Sequence, residues 1–266
     1  MRKLTLLLVA LSLMACEKEL TIDYHTTNPL YVAEIMLTPE EITARITTTQ
    51  DIVGTPDAKH YVDNAVVTIS EEGTSWADTL ENKGKGNYKL FYYAVEGHTY
   101  TVDVCISGHH YTSTSTMRSA PVVNSFGFVW QDVLTERLLF ADLRLQDNPD
   151  ENNYYFMHLY RNNIGYRWAV IDDSANPGGE LQQLFSTATQ REMEKGTNSD
   201  ALQDGDRLRL EVRSIDLPTY NYFYSLQLMN NTGTNPVSNF TGGLLGYFSA
   251  CQVVTLNQVF STDSVR

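Results

Sequence analysis

The chain has 266 residues, 11% of them aromatic with 16 Tyr, and a formal net charge of −13. That length holds one large or two modest domains with real cores, and the aromatic content excludes intrinsic disorder. The acidic balance, with no basic run, excludes nucleic acid and anionic lipid as electrostatic partners and leaves cations and cationic partners open.

Residues 1–15 have the pattern of a secretory signal: Arg2 and Lys3, then an apolar run from Leu4 to Leu13, then the small Ala15 before the expected cut. An apolar run of about ten residues falls short of the roughly 20 that a spanning helix needs. No later run is longer, so the mature chain is expected not to span a membrane. Leu13-Met14-Ala15-Cys16 resembles the lipobox of bacterial lipoproteins, in which the cysteine thiol takes a diacylglycerol and cleavage leaves Cys16 as the acylated N-terminus. A thiol is the nucleophile that such a thioether requires. Several acyl chains hold firmly, at about 0.8 kcal/mol per buried CH₂. The following Glu17-Lys18-Glu19 is partly similar to the export signal of Bacteroidetes surface lipoproteins. Loss of residues 1–15 removes Arg2 and Lys3 and no acid, taking the charge from −13 to −15.

Residues 16–29 read as a lipidated tether. From 30 to 120 the segments "YVAEIML" (31–37), "ITARITTT" (42–49), "NAVVTIS" (64–70), "NYKLFYY" (87–93), "TYTVDVCI" (99–106) and "HYTSTST" (110–116) are β-branched and aromatic, several of them alternating. Gly73, "NKGKGN" (82–87), "EGH" (96–98) and "SGHH" (107–110) punctuate them. The pattern predicts a mainly β protein opening with an immunoglobulin-like antiparallel β-sandwich over 30–120. Pro121 marks the boundary of a second β-rich domain, 121–266. Its strands are expected at 122–130, 137–147, 153–161, 166–172 and 206–216. The last alternates, with Leu208, Leu210 and Val212 on one face and Arg207, Arg209, Glu211 and Arg213 on the other. One helix is predicted near 217–230, with Asp216 as cap, Pro218 in its first turn, and Tyr220, Phe223, Tyr224, Gln227 and Leu228 on one face. Polar, aperiodic residues 173–205 read as a long loop with a short helix at "LQQLF" or "TQREMEK".

Few residues offer chemistry. His109 and His110 are adjacent on a strand and point to opposite faces, so they cannot easily share a metal. Asp147, Asp150 and Glu151 in "QDNPDENN" are a weak Ca²⁺ candidate, because oxygen ligands at that density hold Ca²⁺. The spacing matches no EF-hand loop, and Asp, Asn and Pro are what a tight turn demands. No HExxH, CxxC or GxSxG is present, so no catalytic residue is assigned. Cys105 and Cys251 could pair in an exported chain or stay buried as thiols. The stretch "NPVSNFTGGLLGYFSA" (235–250) sets Gly242, Gly243 and Gly246 among aromatics and leucines, where glycine permits positive φ or close approach. Trp130, Trp168, Tyr166 and Tyr247 are the aromatics singled out for stacking on sugars or gripping peptide side chains.

The order of these motifs resembles the Bacteroidetes outer-membrane lipoproteins known as domain of unknown function 4249. The likeness covers nearly the whole mature chain. It rests on "CEKEL", "VDNAVVTISEEG" (62–73), "KGNYKL", "EGHTYTVDVCISGHHYTSTSTM", "DNPDENNYYFMHLYR", "DGDRLRLEVRSID" with "YNYFYSL", and "NPVSNFTGGLLGYFSA". One departure is "NPVSNF", where that family usually has a tighter Pro-Ser-Asn-Ile. The resemblance implies a gene neighbourhood with TonB-dependent outer-membrane transporters and supplies no catalytic residues.

The expectation is therefore a non-catalytic accessory lipoprotein of the outer membrane, facing the cell surface. It would bind a substrate or dock onto a TonB-dependent nutrient transporter. Acyl lipid on Cys16 would be its one attached group. The alternatives are a cell-envelope hydrolase with carboxylates in the 173–205 region and a structural or adhesive module with Ca²⁺-stiffened turns.

Overall fold

The computed structural model describes residues 29–49, 60–196, 198–232 and 235–265. The signal segment and Cys16 lie outside the described residues. The first strands are β1 (Tyr31–Leu37), β2 (Glu41–Thr48), β3 (Val66–Glu71), β4 (Ala77–Thr79), β5 (Glu81–Gly84), β6 (Asn87–Phe91), β7 (Thr99–Ile106) and β8 (His109–Thr116). They form two sheets, ordered β1-β2-β6-β5 and β4-β3-β7-β8. With β1 as the first strand this is the immunoglobulin-type arrangement, ABED against C′CFG. Alternation explains the core. Ala33, Ile35 and Leu37 of β1, Ile42, Ala44 and Ile46 of β2, and Tyr100, Val102, Val104 and Ile106 of β7 all face inward. Tyr100 also carries the corner interaction typical of such sandwiches: its hydroxyl accepts the Val95 N–H at 2.8 Å, just upstream of β7.

The second half adds β9 (Val122–Val133), β10 (Glu136–Gln146), β11 (Tyr154–Arg161), β12 (Ile164–Asp172), β13 (Glu180–Thr189), helix α1 (Gln190–Lys195), β14 (Arg207–Ile215), helix α2 (Leu217–Thr232), β15 (Leu245–Ala250) and β16 (Gln252–Val259). Sheets β13-β10-β9 and β12-β11-β14-β16 make a second sandwich. Its core holds Leu139, Leu143, Met157, Leu159, Leu208, Leu210, Val212, Phe185 and Phe260. The alternation expected for β14 is present: Leu208, Leu210 and Val212 are buried, while Arg207 is exposed and Arg209, Glu211 and Arg213 are half-buried.

Four expectations are corrected. The 173–205 segment is not one long loop. Leu181 and Phe185 face the core and β13 pairs with β10 from Leu138↔Thr189 to Gln146↔Glu180. Its outward Gln182 and Ser186 give the segment its polar look. "LQQLF" is thus strand, and helix begins only after Thr189, whose hydroxyl accepts the Glu192 N–H while Glu192 caps back.

The second correction concerns the last third of the chain. The 121–266 domain gives up residues 240–250 to the first sandwich. β15 extends that sheet, parallel to β1 from Val32↔Leu245 to Leu37↔Ala250, and Phe240, Leu244, Phe248 and Ala250 join the first core. Third, α2 buries Thr219, Tyr222 and Phe223 and leaves Tyr224, Gln227 and Leu228 exposed. The helix lies in a corner, against the outer face of β11 and β12 on one side and β15 on the other, so its buried stripe is rotated from the one the spacing suggests. Fourth, β4, β5 and β16 stand where the sequence pattern predicts no strand. β4 and β5 are short and almost wholly exposed, and β16 alternates only between half-buried and exposed positions, so none carries a strong apolar period.

The Asp216 cap is present. Its carboxylate accepts the Thr219 N–H at 3.0 Å and the Ser115 hydroxyl at 2.6 Å. Ser115 Oγ in turn accepts the Ala250 N–H at 2.8 Å. One buried serine therefore links β8, β15 and the start of α2 at the junction between the sandwiches.

Candidate functional site

Strand directions place the two ends of the molecule. β1 runs towards the second sandwich, since the Cys251 N–H donates to the Leu37 carbonyl at 2.9 Å. Tyr31 therefore lies at the outer end of the first sandwich. β9 and β16 leave the junction and finish at Val133 and Val259. The far end of the second sandwich thus carries the β9–β10 turn, α1, residues 198–206 and the closing 3-10 turn Thr262–Ser264.

A cavity of about 400 Å³ opens at this far end. Trp130, Met193 and Leu202 form its apolar wall; Gln190, Glu194, Asn198, Gln203 and Asp204 bring amides and carboxylates to it. Among the described residues lining it there is no Lys, Arg or His. Local chemistry explains its walls. The capping box and Gly196 at φ 59° define a helix of six residues, and Gln190 donates to Glu194 at 2.8 Å along its surface. Asp204 accepts the Thr262 N–H at 2.7 Å, pinning the loop to the 3-10 turn. Asp206, nearly buried, accepts the Gln203 N–H at 2.8 Å, Arg161 Nε at 2.7 Å and the Asn162 amide at 2.7 Å. Burial alone would raise the Asp206 pKa, but those three donors together hold it below the usual carboxylate range.

The four aromatics singled out from the sequence do not form one site. Trp130 lines the cavity, and Arg137 sits over its ring with the guanidinium 5.6 Å from the centroid. Tyr166 does not line the cavity: its hydroxyl donates to the Asp200 carbonyl at 2.6 Å, next to the lining residue Ala201, and Arg167 lies 4.2 Å from its centroid. Trp168 packs on Phe156 and Phe223. Tyr247 packs on Tyr222 and Phe223 at the junction, where burial raises its hydroxyl pKa far above the ordinary tyrosine value. Met193 and Leu202 escape sequence reasoning because they lie in the stretch that reads as a long loop, and Glu194 and Asp204 fall among the 173–205 carboxylates without being singled out. The "QREMEK" capping pattern is the one signal that points towards them.

The acids at 147–151 serve the turn. Asp147 accepts the Gly178 N–H at 2.7 Å and the Tyr155 hydroxyl at 3.2 Å, and Glu151 pairs with Arg118 at 2.7 Å. Asp150 joins the turn through its own N–H, which donates to Asn148 at 3.2 Å. Among the described residues no three His, Cys, Asp or Glu side chains gather as metal ligands. His110 contacts Asp103 at 2.8 Å, and His109 is exposed. Cys105 and Cys251 are both free thiols. Burial pushes the Cys251 thiol up to about 11. No described helix is long and apolar enough to cross a membrane.

No match was found among curated proteins. Among solved structures, a two-domain fibronectin type-III segment of chicken tenascin is 10% identical. It covers 88% of this chain and 100% of its own, with a TM-score of 0.23. Dimeric latent PorU from Porphyromonas gingivalis is 12% identical over 70% of this chain, with a TM-score of 0.22; the chain spans 19% of that protein's length. At such scores neither likeness bears on function. A family model matches residues 17–257, and the chain belongs to the family described as Domain of unknown function (DUF4249).

Proposed function

We propose that this chain is a lipid-anchored accessory protein of the outer membrane, held through Cys16 and facing the cell surface. In this reading it is not an enzyme. It binds a ligand or docks onto a TonB-dependent transporter with its second sandwich. The observation that carries the reading is the separation of the two ends. Tyr31, the first strand residue after the tether, is at one end, and the cavity with Trp130 is at the other. An anchor at Cys16 would hold the first sandwich as a spacer near the lipid and turn the cavity outward. The lipobox at residues 13–16 supports the anchor, and the mature charge of −15, from −13 less two signal cations, keeps the body off an anionic surface.

The test is a mild-detergent pull-down of the native protein, tagged after Arg266, from outer membranes beside a Cys16→Ala control, read by mass spectrometry. Co-purification of one TonB-dependent transporter, lost in the control, is the expected result. Recovery of an unlipidated chain from the soluble periplasm would overturn the reading.

One observation favours the hydrolase alternative: Glu194 and Asp204 line the same cavity. Asp204, however, accepts both the N–H and the hydroxyl of Thr262, at 2.7 and 3.2 Å. That role suits a fixed carboxylate rather than a proton donor. Hydrolysis of envelope glycans by the wild type, abolished in Glu194→Gln, would reverse the preference.

A further inference from the structure

The far-end cavity has a chemical bias that names its ligand class, an inference that rests on the binding reading above. The apolar wall of Trp130, Met193 and Leu202 stands beside two carboxylates, Glu194 and Asp204, and three side-chain amides, Gln190, Asn198 and Gln203. No cationic side chain lines the same space among the described residues. The amides both give and take hydrogen bonds, so they carry no bias, whereas the carboxylates only accept. Glu194 takes one bond from Gln190, and Asp204 takes two from Thr262, but both keep their negative charge and spare lone pairs. Two carboxylates with no cation among the described lining residues favour a ligand that carries N–H donors and positive charge. A neutral sugar, which must both give and take hydrogen bonds at each hydroxyl, leaves that charge unused.

The ring of Trp130 adds a second indication. The guanidinium of Arg137 already lies 5.6 Å from its centroid, so this indole face accepts a planar cation. Arg137 comes to it from an adjoining polar cavity of about 290 Å³, lined also by Glu136 and Arg191 and sharing Gln190 and Glu194 with the first. Its side chain is exposed and held otherwise by a 4.0 Å surface pair with Asp132, a contact weak enough to yield to a competing cation. The volume of about 400 Å³ is near the small end of ligand pockets, typically ~300–1,000 Å³, and suits one long side chain better than an oligosaccharide.

We infer that the cavity binds an arginine side chain: alkyl stem along Met193 and Leu202, guanidinium against the Trp130 ring and towards Glu194 and Asp204. Arginine fits better than lysine because its planar fork satisfies several oxygen acceptors at once and stacks on an aromatic face.

The test uses the full lipidated chain in detergent micelles, titrated calorimetrically with N-acetyl-arginine methylamide and with its neutral isostere, N-acetyl-citrulline methylamide. A parallel arm uses an Ala-Arg-Ala tripeptide, so that a free cation and a peptide-borne one are told apart. Arginine is expected to bind at least about tenfold more tightly than citrulline, and less tightly as salt is raised. Glu194→Gln, an exposed and structurally mild change, should weaken binding several-fold; Asp204→Asn, which keeps an acceptor for Thr262, should do likewise. Arg137→Gln should strengthen binding by vacating the indole face. Equal affinity for the two amides, or no arginine binding through the millimolar range, would overturn the inference. That result would leave the surface-lipoprotein reading intact if the transporter still co-purified. A soluble, unanchored protein that binds arginine would have the opposite meaning.

Discussion

Gly246 sits on β15 at φ 106°, and a Cβ built there would lie 1.9 Å from the Ala33 carbonyl oxygen. Neither the backbone conformation nor the space admits a side chain. Gly246→Ala is expected to cost about 3 kcal/mol or more, read as a lower urea midpoint. His158, on the outer face of β11, is stacked on Tyr160 with ring centroids 4.0 Å apart, and Gly165 makes room for it. Burial first, then the nearby Arg213 and Arg209, lowers its pKa to about 4. Glu211 lies between those arginines and pairs with both. An unfolded histidine takes a proton below about 6.5. The folded one refuses it until about 4, so its contribution is fully present above about 6.5 and is lost as pH falls from there towards 4. With allowance for partial exposure the loss is about 2 kcal/mol. The difference in denaturation free energy between pH 7 and pH 4.5 should shrink by that amount in His158→Gln.

At the scale of elements, α2 depends on a cap that also serves its neighbours. Asp216→Ala removes the acceptor of the Thr219 N–H and strands the Ser115 hydroxyl, at an expected cost of about 2 kcal/mol. Asp216→Asn retains an acceptor and should lose less than half of that. Asn239 does similar service for β15: its amide accepts the Phe248 N–H at 2.9 Å and donates to the Phe248 carbonyl at 2.8 Å, acting as one rung of an absent strand. The Ser-Asn of "NPVSNF" thus has a structural reason, since Ser238 also donates to the Leu244 and Gly246 carbonyls at 2.6 and 2.9 Å. Thermal melts of Asn239→Ala should fall by several degrees, because the Phe248 N–H loses its acceptor inside the fold and the Phe248 carbonyl keeps only the Thr219 hydroxyl at 3.2 Å.

At the scale of the whole molecule, the return of β15 ties the two sandwiches into one cooperative unit. The first core depends on Phe240, Leu244, Phe248 and Ala250, which are more than a hundred residues from the rest of it in sequence. A third cluster lies between the sandwiches, where Phe156, Tyr222 and Phe223 pack with Met36 and Tyr247. The chain is therefore expected to unfold in a single transition. A fragment covering 29–120 should stay unfolded or aggregate, since the edge of β1 and the apolar seats of Phe240 and Phe248 would be bare. Independent folding of that fragment, with sharp dispersion in its amide NMR spectrum, would contradict the coupling.

Much of this fold is local and legible in the amino-acid sequence alone. β1 and β7 match their alternating segments residue for residue, because a period of two records which face is buried. The Asp216 cap and the turns at Gly73 and 107–108 are chemistry of neighbouring residues. Membership of the family likewise follows from the order of local motifs. Partners far apart in sequence were decided only in three dimensions. Nothing local distinguishes a glycine-rich core segment from a strand pairing with β1, and the polar outward face of β13 hides its buried one. The rotation of α2 is set by the corner it fills. The cavity follows the same rule. Trp130 is visible as an aromatic, but Glu194, Leu202 and Asp204 become its neighbours only because β13 turns into α1 and Asp204 is fastened to Thr262. Side-chain periodicity reports burial, whereas sheet partners and pocket walls depend on contacts between segments that no periodicity records.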